Sequence, residues 1–189
     1  MRHLRELSTA ARAILVLTIL LGLMYTLLVT AFAQVAFPGK ADGSRVPGGS
    51  SLIGRKWDGS GYFQPRPSAT DYSATGTYFA NRGPNQASAK FFYRDNLAAY
   101  IRRERRYWPD LRDADVPADA VTTSGSGVDP HISEDNARIQ ARRIAAVRRI
   151  DPGRLKALIG EHTDGRFIVF GEPGVNTTTL NLALDKESR

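Results

Sequence analysis

From Ala13 to Phe37 the chain runs 25 residues without a charged side chain, and 20 of them belong to the hydrophobic class. As a helix this run extends about 37 Å at ~1.5 Å per residue, against roughly 30 Å of bilayer hydrocarbon. Its Leu, Ile, Val and Phe residues, at ~0.3–0.6 kcal/mol each, favour insertion by about 5 kcal/mol in sum. Pro38-Gly39 then closes the helix. A buried core helix would be shorter and would carry a polar stripe, so the run reads as a transmembrane helix over 13–37 behind a short tail, 1–12. No second apolar run approaches membrane length, which excludes a polytopic channel.

A cleaved signal peptide is the rival reading. Arg2, Arg5 and Arg12 form a basic start, and Ala31-Phe32-Ala33 ahead of Gln34 has the small-x-small pattern of a cleavage site. The apolar stretch before Ala31 is longer than the ~7–15 residues of a signal core, which favours an uncleaved signal anchor. Near the span, Arg2, Arg5 and Arg12 on one side face Lys40, Arg45 and Arg55 on the other. The positive-inside count is therefore tied. The secretory layout of the first 33 residues and the tolerance of long domains to translocation place the tail in the cytoplasm and the domain outside.

Beyond Phe37 lie 152 residues carrying 23 basic and 18 acidic side chains, a surplus of +5. That length suffices for one core with roughly two-thirds of its surface buried. The absence of cysteine excludes disulfide stapling, thiolate zinc sites and cysteine nucleophiles. Residues 38–51, rich in Gly, Ser and Pro, read as a linker to a domain at 52–189. Ser51–Gly54, Trp57 and Tyr62-Phe63 suggest two short strands or extended pieces about a turn, and Pro65 and Pro67 keep the chain extended. Residues 70–86 read as an irregular loop.

A helix is expected from about Ala87 to Tyr107, with Leu97, Tyr100, Ile101 and Glu104 at helical spacing and Arg102, Arg103, Arg105 and Arg106 around it. The stretch 91–108 is basic and aromatic. Its arginines are read as a solvated helix end, with a contact surface for lipid phosphate or an acidic partner as the alternative. A second helix starts after Ser133 and reaches about Ile150. Its apolar face would be Ala137, Ala141, Ile144 and Val147, with Arg138, Arg142, Arg143, Arg148 and Arg149 coating the rest. Asp151-Pro152 opens a third helix with Leu155, Leu158 and Ile159 on one side and His162 at the core's edge. Phe167–Phe170 reads as a strand, and the alternation of Leu180, Leu182 and Leu184 with Asn181, Ala183 and Asp185 as another. The fold class is α+β: one membrane helix, then a mixed domain of about three helices and short strands.

The stretch richest in chemistry is Val121–Ser133. Ser124, Gly125, Ser126 and Gly127 ahead of a helix could turn backbone N–H groups toward a phosphate. The Lys-Ser/Thr of a P-loop is absent, so a tight turn satisfied by its own Ser and Asp side chains is the plainer reading. Ser126, Asp129 and His131 invite a hydrolase triad, yet triad members come from distant segments as a rule. Asp129, His131, Glu134 and Asp135 lack a recognised metal-ligand spacing. Asn176-Thr177-Thr178 fits a glycosylation sequon, a frequent chance match, and nucleic-acid binding is disfavoured for an anchored outer domain.

The order of motifs along the chain is specific. After the single span come Gly49–Gly54, Tyr62–Ala69, the long block Val116–Ser133, Gln140 with Arg143-Ile144-Ala145, Gly171–Asn176 and Leu180–Asp185. This closely resembles the C subunit of the bacterial Kdp potassium-transporting ATPase over nearly the whole chain. The chain departs from the family at Arg55, commonly Gln, at Gly174, commonly Arg, and around Thr75–Asn81. The resemblance implies an accessory, non-catalytic subunit working with a channel-like potassium-translocating subunit and a P-type ATPase subunit. It also implies a chaperone role in raising ATP affinity, with nucleotide contacts near Gln140. The candidates would be Ser124, Gly125, Ser126, Gly127, Gln140 and Arg143. That role conflicts with an external domain, which would instead cap the channel subunit and stabilise assembly. Asp129, Pro130, His131, Arg66 and Pro67 are then structural or partner-facing candidates, and Gly22 would permit close packing of the span against a neighbouring helix. No tightly bound cofactor or metal is expected.

Overall fold

The structure, a computed structural model, describes residues 2–73, 75–77, 80–83, 85–165 and 171–187. It divides into two compact units, Met1–Arg45 and Val46–Arg189. The expected strand at Phe167–Phe170 lies outside the described residues.

The first unit is one long helix, α1 (Arg2–Ala36), followed by a helical turn, Pro38–Ala41. Apolar side chains along α1 stand exposed, Leu15 at 60%, Leu27 at 65% and Phe32 at 68%. A surface of that extent is untenable in water and suits lipid. Between Thr18 and Tyr25 the backbone widens into π-helical turns. Two threonines inside the run bond their own helix: the Thr26 hydroxyl donates to the Gly22 and Leu23 carbonyls at 2.5 and 3.0 Å, and Thr30 to Thr26 at 2.7 Å. Helical geometry breaks at Phe37 (φ −143°, ψ 56°), where the Pro38 ring forbids its continuation.

In the stretch 38–51, strands β1 (Arg45–Val46) and β2 (Gly49–Ser50) form a two-stranded ladder. The second unit then holds α2 (Ala87–Glu104), short 3₁₀ turns at Asp113–Asp115 and Ala118–Ala120, β3 (His131–Ile132), α3 (Glu134–Arg148) and α4 (Pro152–Glu161). It ends with β4 (Thr163–Asp164), β5 (Gly174–Asn176) and α5 (Thr177–Glu187). The sheet is antiparallel in the order β3-β5-β4, with His131 opposite Asn176 and Thr163 opposite Val175. Its inner face joins Ala137 and Ile144 of α3, Leu155, Leu158 and Ile159 of α4, and Leu180 and Leu184 of α5 in one core, with Phe63 at its centre. A second cluster, Tyr100, Ile101, Leu111 and Ile139, seals α2 against another side of α3.

The local signals explain the helix starts. The Ser133 hydroxyl accepts from Asn136 N at 3.1 Å, and the Asp151 carboxylate accepts from Arg154 N at 2.9 Å with Pro152 at the first helical position. Leu155, Leu158 and Ile159 are buried as their spacing requires, and His162 is half-buried with its Nδ1 3.0 Å from the Thr179 hydroxyl.

Three expectations are corrected. Leu180–Asp185 is helical: Asn176 Oδ1 accepts from Thr178 N and Thr179 N, both at 3.1 Å, and caps α5. Leu180 and Leu184, one turn apart, are then fully buried while Leu182 is only partly so. Asn176 is therefore a buried cap rather than a sequon side chain. On α3, Val147 is 39% exposed and Ile139 takes an inner position instead. Arg143, expected in the solvated coat, is 1% exposed.

Helix α3 ends on Arg149 in the left-handed region (φ 58°, ψ 37°), where a Cβ is strained. Both tryptophans, Trp57 and Trp108, lie in the second unit, so their fluorescence reports its unfolding alone. Arg149→Gly is expected to raise stability by about 0.5–1 kcal/mol in urea titrations of the detergent-solubilised chain followed at the tryptophans.

Candidate functional site

Helix α3 turns a polar seam inward. Ser133, Asn136, Gln140 and Arg143 are spaced three, four and three residues apart, which sets them on one helical face. Asn136, Gln140 and Arg143 are each 1% exposed. The Arg143 guanidinium donates from Nε to both carboxylate oxygens of Glu104 at 3.1 Å, and Glu104 is equally buried. Its Nη1 donates to the carbonyls of Ser60 and Tyr62, and its Nη2 to Gln140 Oε1 at 2.9 Å. Burial pulls the Arg143 pKa down and the Glu104 carboxylate opposes that pull.

These groups hold an irregular chain in place. Gln64 N donates to Gln140 Oε1 at 2.8 Å, and Gln140 Nε2 returns a bond to Gln64 O at 3.0 Å. Asn181 of α5 does the same for Phe63, at 2.9 and 2.8 Å. Two side-chain amides thus stand where a neighbouring strand would. Phe63-Gln64 has its backbone paired without belonging to a strand. Arg148 fixes Gly61 O at 2.7 Å and pairs with Asp185 at 2.9 Å. Its guanidinium lies over the Tyr62 ring, which stacks on Trp57, and Arg55 covers the far side of Trp57.

The same segment meets the Val121–Ser133 stretch further on. Arg66 Nη2 donates to the Thr122 hydroxyl and the Thr123 carbonyl, both at 3.2 Å, while Nη1 lies 3.7 Å from Asp129. Ser68 donates to Gly127 O at 2.6 Å, and Gly54 N to Val128 O at 2.7 Å. Gly127 has φ 75°, which favours glycine, and a Cβ on Gly54 would stand 2.7 Å from Asp129 O. Pro130 O accepts from Thr177 N at 2.9 Å and from its hydroxyl at 2.7 Å.

Of the sequence candidates, Arg66, Asp129 and His131 come together, as do Gln140 and Arg143. Ser124 is buried, Gly125 exposed and Gly127 buried. Ser126 Oγ accepts from Val128 N at 3.2 Å. Among the described residues no hydrogen bond joins Ser124–Gly127 to Gln140 or Arg143. The link is indirect, through the 60–68 segment. The N-terminus of α3 already holds an anion, because Asp119 accepts from Ser133 N, Ser133 Oγ and Asn136 Nδ2 at 2.7–2.9 Å. Pro67 and Gln140 line a cleft of about 230 Å³ shared with Tyr72, Tyr100, Arg103 and Asn136. Burial pushes the Tyr72 hydroxyl up to about 12 and raises Tyr100 as well. Gly22 lies in the first unit, where a Cβ would meet only the Thr18 methyl at 3.8 Å.

His131 sits between two carboxylates. Nδ1 is 3.3 Å from Asp129 and Nε2 is 2.7 Å from Asp164, so neither ring nitrogen is left to activate Ser126. The Asp129 bond, supported by Asp164 and opposed by burial, raises the His131 pKa. Burial would raise Asp129, but its bonds from His131 and the charge of Arg66 hold it below the usual carboxylate range.

Sequence reasoning missed Glu104 as a charge partner, gave no role to Asp119 or Asn136, and read Asn181 as the polar face of a strand. The three-four-three spacing from Ser133 to Arg143 was the available signal for the seam.

Together, a lipid-suited apolar helix and a second unit whose singled-out polar residues brace its own loops define a membrane-associated α+β protein with one long apolar N-terminal helix. Residues 7–186 match the family described as K+-transporting ATPase, c chain (KdpC), and the chain belongs to that family of potassium-transport subunits. It is 41% identical over 191 residues to the potassium-transporting ATPase KdpC subunit of Cereibacter sphaeroides, covering 98% of this chain and 97% of that one. It is 43% identical to that of Myxococcus xanthus over 94% of this chain and 86% of that one. For Kineococcus radiotolerans the figure is 42%, over 96% and 93%.

Two measurements probe the site. Arg143→Met is expected to cost about 3 kcal/mol of unfolding free energy, since it leaves the buried Glu104 carboxylate with the partly exposed Arg103, at 2.7 Å, as its remaining ion-pair partner among the described residues. Glu104→Gln combined with Arg143→Met should lose less than the two single changes summed, a coupling read from urea titrations. His131, with its pKa raised in the folded state, contributes stability that is full below its unfolded value of about 6.5 and is lost as pH rises through the folded pKa. The melting-temperature gap between the native chain and His131→Gln should therefore be wider at pH 6 than at pH 9.

Proposed function

We propose that the chain is the accessory, non-catalytic subunit of an ATP-driven potassium uptake complex. Residues 1–12 would lie in the cytoplasm, 13–37 would cross the membrane, 38–51 would link, and 52–189 would form the domain outside. The observation that carries this reading is the internal commitment of Gln140, Arg143, Arg66 and His131 to the protein's own carbonyls and carboxylates. Those side chains build a rigid body rather than a reactive centre, which suits a part that positions other subunits. The partners are a channel-like potassium-translocating subunit, whose outer mouth the domain would cap, and a P-type ATPase subunit. The span would pack beside the channel subunit with Gly22 at the closest approach.

The nucleotide-chaperone role of the family remains the competing reading. The cleft at Gln140, about 230 Å³, is below the roughly 300 Å³ at which ligand pockets begin. ATP would have to open it and displace the bonds to Gln64 and Asn136. The hydrolase alternative through Ser126, Asp129 and His131 is weakened by the two carboxylates that occupy the His131 ring.

Because the chain is free of cysteine, Ala157→Cys on the exposed side of α4 gives a single labelling site. A membrane-impermeant maleimide is expected to label it in intact cells. Labelling only after permeabilisation would place the domain in the cytoplasm, sink the capping role and favour the nucleotide role. Co-purification with two larger membrane subunits, lost on deleting 13–37, is the companion result.

A further inference from the structure

Helix α2 carries a surface that the scaffold does not use. Arg94, Leu97, Ile101, Arg102, Arg105 and Arg106 line an open groove of about 680 Å³, and the one carboxylate on it is Asp113. Arg105 is occupied, donating to Leu111 O at 2.7 and 3.0 Å and standing 3.6 Å from Asp113. Arg94 pairs with its neighbour Asp95, at 3.3 Å and in solvent. Arg102, in the last turn of α2, and Arg106, in the turn that follows the helix, are both exposed and have no hydrogen bond or ion pair among the described residues.

The pattern extends toward the start of the helix. Phe91, Arg94, Ala98 and Arg102 follow one another three to four residues apart and so share one face. Phe91 is 53% exposed, with the Arg94 guanidinium 5.1 Å from its ring centre. An exposed aromatic in register with Arg94 and Arg102, beside the apolar Leu97 and Ile101, suits contact with a phosphate-bearing bilayer surface. Guanidinium groups match phosphate oxygens in geometry as well as charge. The bilayer is also within reach by chain length, since the ten residues from Phe37 to Val46 span at most about 35 Å. Tethering at that range keeps headgroups at high effective concentration.

We propose that the Phe91–Arg102 face of α2, together with Arg106 in the turn after it, docks on the phosphate headgroups of anionic lipids in the membrane that holds α1. The proposal does not depend on which side of the membrane the domain occupies, so it stands or falls apart from the topology above.

The test uses the full chain in nanodiscs, with a dye on Ala114→Cys beside the groove and an acceptor on lipid headgroups. Replacing about 30% of phosphatidylcholine with phosphatidylglycerol is expected to raise energy transfer about twofold at low salt, with the gain lost near 0.5 M NaCl as charge is screened. Arg94→Gln/Arg102→Gln/Arg106→Gln should remove the gain, whereas Arg138→Gln/Lys156→Gln on other helices should keep it. Equal transfer in both lipids, or a gain that survives the triple change, would overturn the proposal. Equal transfer combined with lost co-purification of the larger subunits in the triple variant would assign the face to an acidic protein partner instead. Should the triple variant fold poorly, judged by tryptophan emission, the lipid and salt response of the native chain decides alone.

Discussion

Arg143 is the charge around which the second unit is organised. A guanidinium at 1% exposure has lost its hydration, and an isolated ion there would cost several kcal/mol even after relaxation. The cost is met from three directions: the Glu104 carboxylate from α2, the carbonyls of Ser60 and Tyr62, and the Gln140 amide on its own helix. None of these groups can be removed without leaving another unpaired. The seating of α2 on α3 and the course of the 60–64 segment are therefore one problem with one solution. Phe63, the centre of the main core, is delivered by that segment, so the apolar packing depends on a polar clamp. Asn181 and Gln140 complete it by giving Phe63 and Gln64 the pairing that a strand would otherwise supply.

What was legible in the sequence follows from the range of each signal. Helix starts are local: Ser133 ahead of Glu134-Asp135, and Asp151 before Pro152, announce themselves within four residues, and both helices begin there. The buried positions Leu155, Leu158 and Ile159 follow from period alone. The strands could not be read, because two- and three-residue strands such as His131–Ile132 have no alternation to detect. Leu180, Leu182 and Leu184 misled for a related reason. Leucines at i, i+2 and i+4 satisfy a period of two, while the first and last also satisfy a helical turn, and only the Asn176 cap decides between them. Arg143 was misplaced because its compensation is non-local. Glu104 lies 39 residues away and two of its acceptors are backbone carbonyls, which a sequence does not display.

The loop at Val121–Ser133 shows how a stretch rich in reactive residue types can be structural. Ser126 and Asp129 accept from backbone N–H groups two residues on, as turn-forming side chains do. Gly127 supplies a left-handed turn, and Pro130 receives both donors of Thr177. The sequence correctly marked the stretch as special and correctly offered a self-satisfied turn. It could not show that the α3 N-terminus, the natural seat for a phosphate, is taken by Asp119 from a turn before the loop.

The charge surplus of the chain acquires meaning once the arginines are sorted by environment. Arg143 and Arg148, 1% and 13% exposed, act as clamps whose charge is spent on carbonyls and a carboxylate. Arg66 is intermediate, tying the 66–68 turn to the Val121–Ser133 stretch. Arg154 bridges Glu161 and Glu187 at the surface, where such pairs contribute little. Once these are set aside, Arg102 on α2 and Arg106 just after it stand exposed with no ion pair among the described residues, near the C-terminal end of the helix, where its dipole already welcomes cations. A solvated helix end would explain one or two arginines there. It does not explain why Arg94 and Arg102 share a face with an exposed phenylalanine beside an apolar groove, and that coincidence separates a surface from a composition.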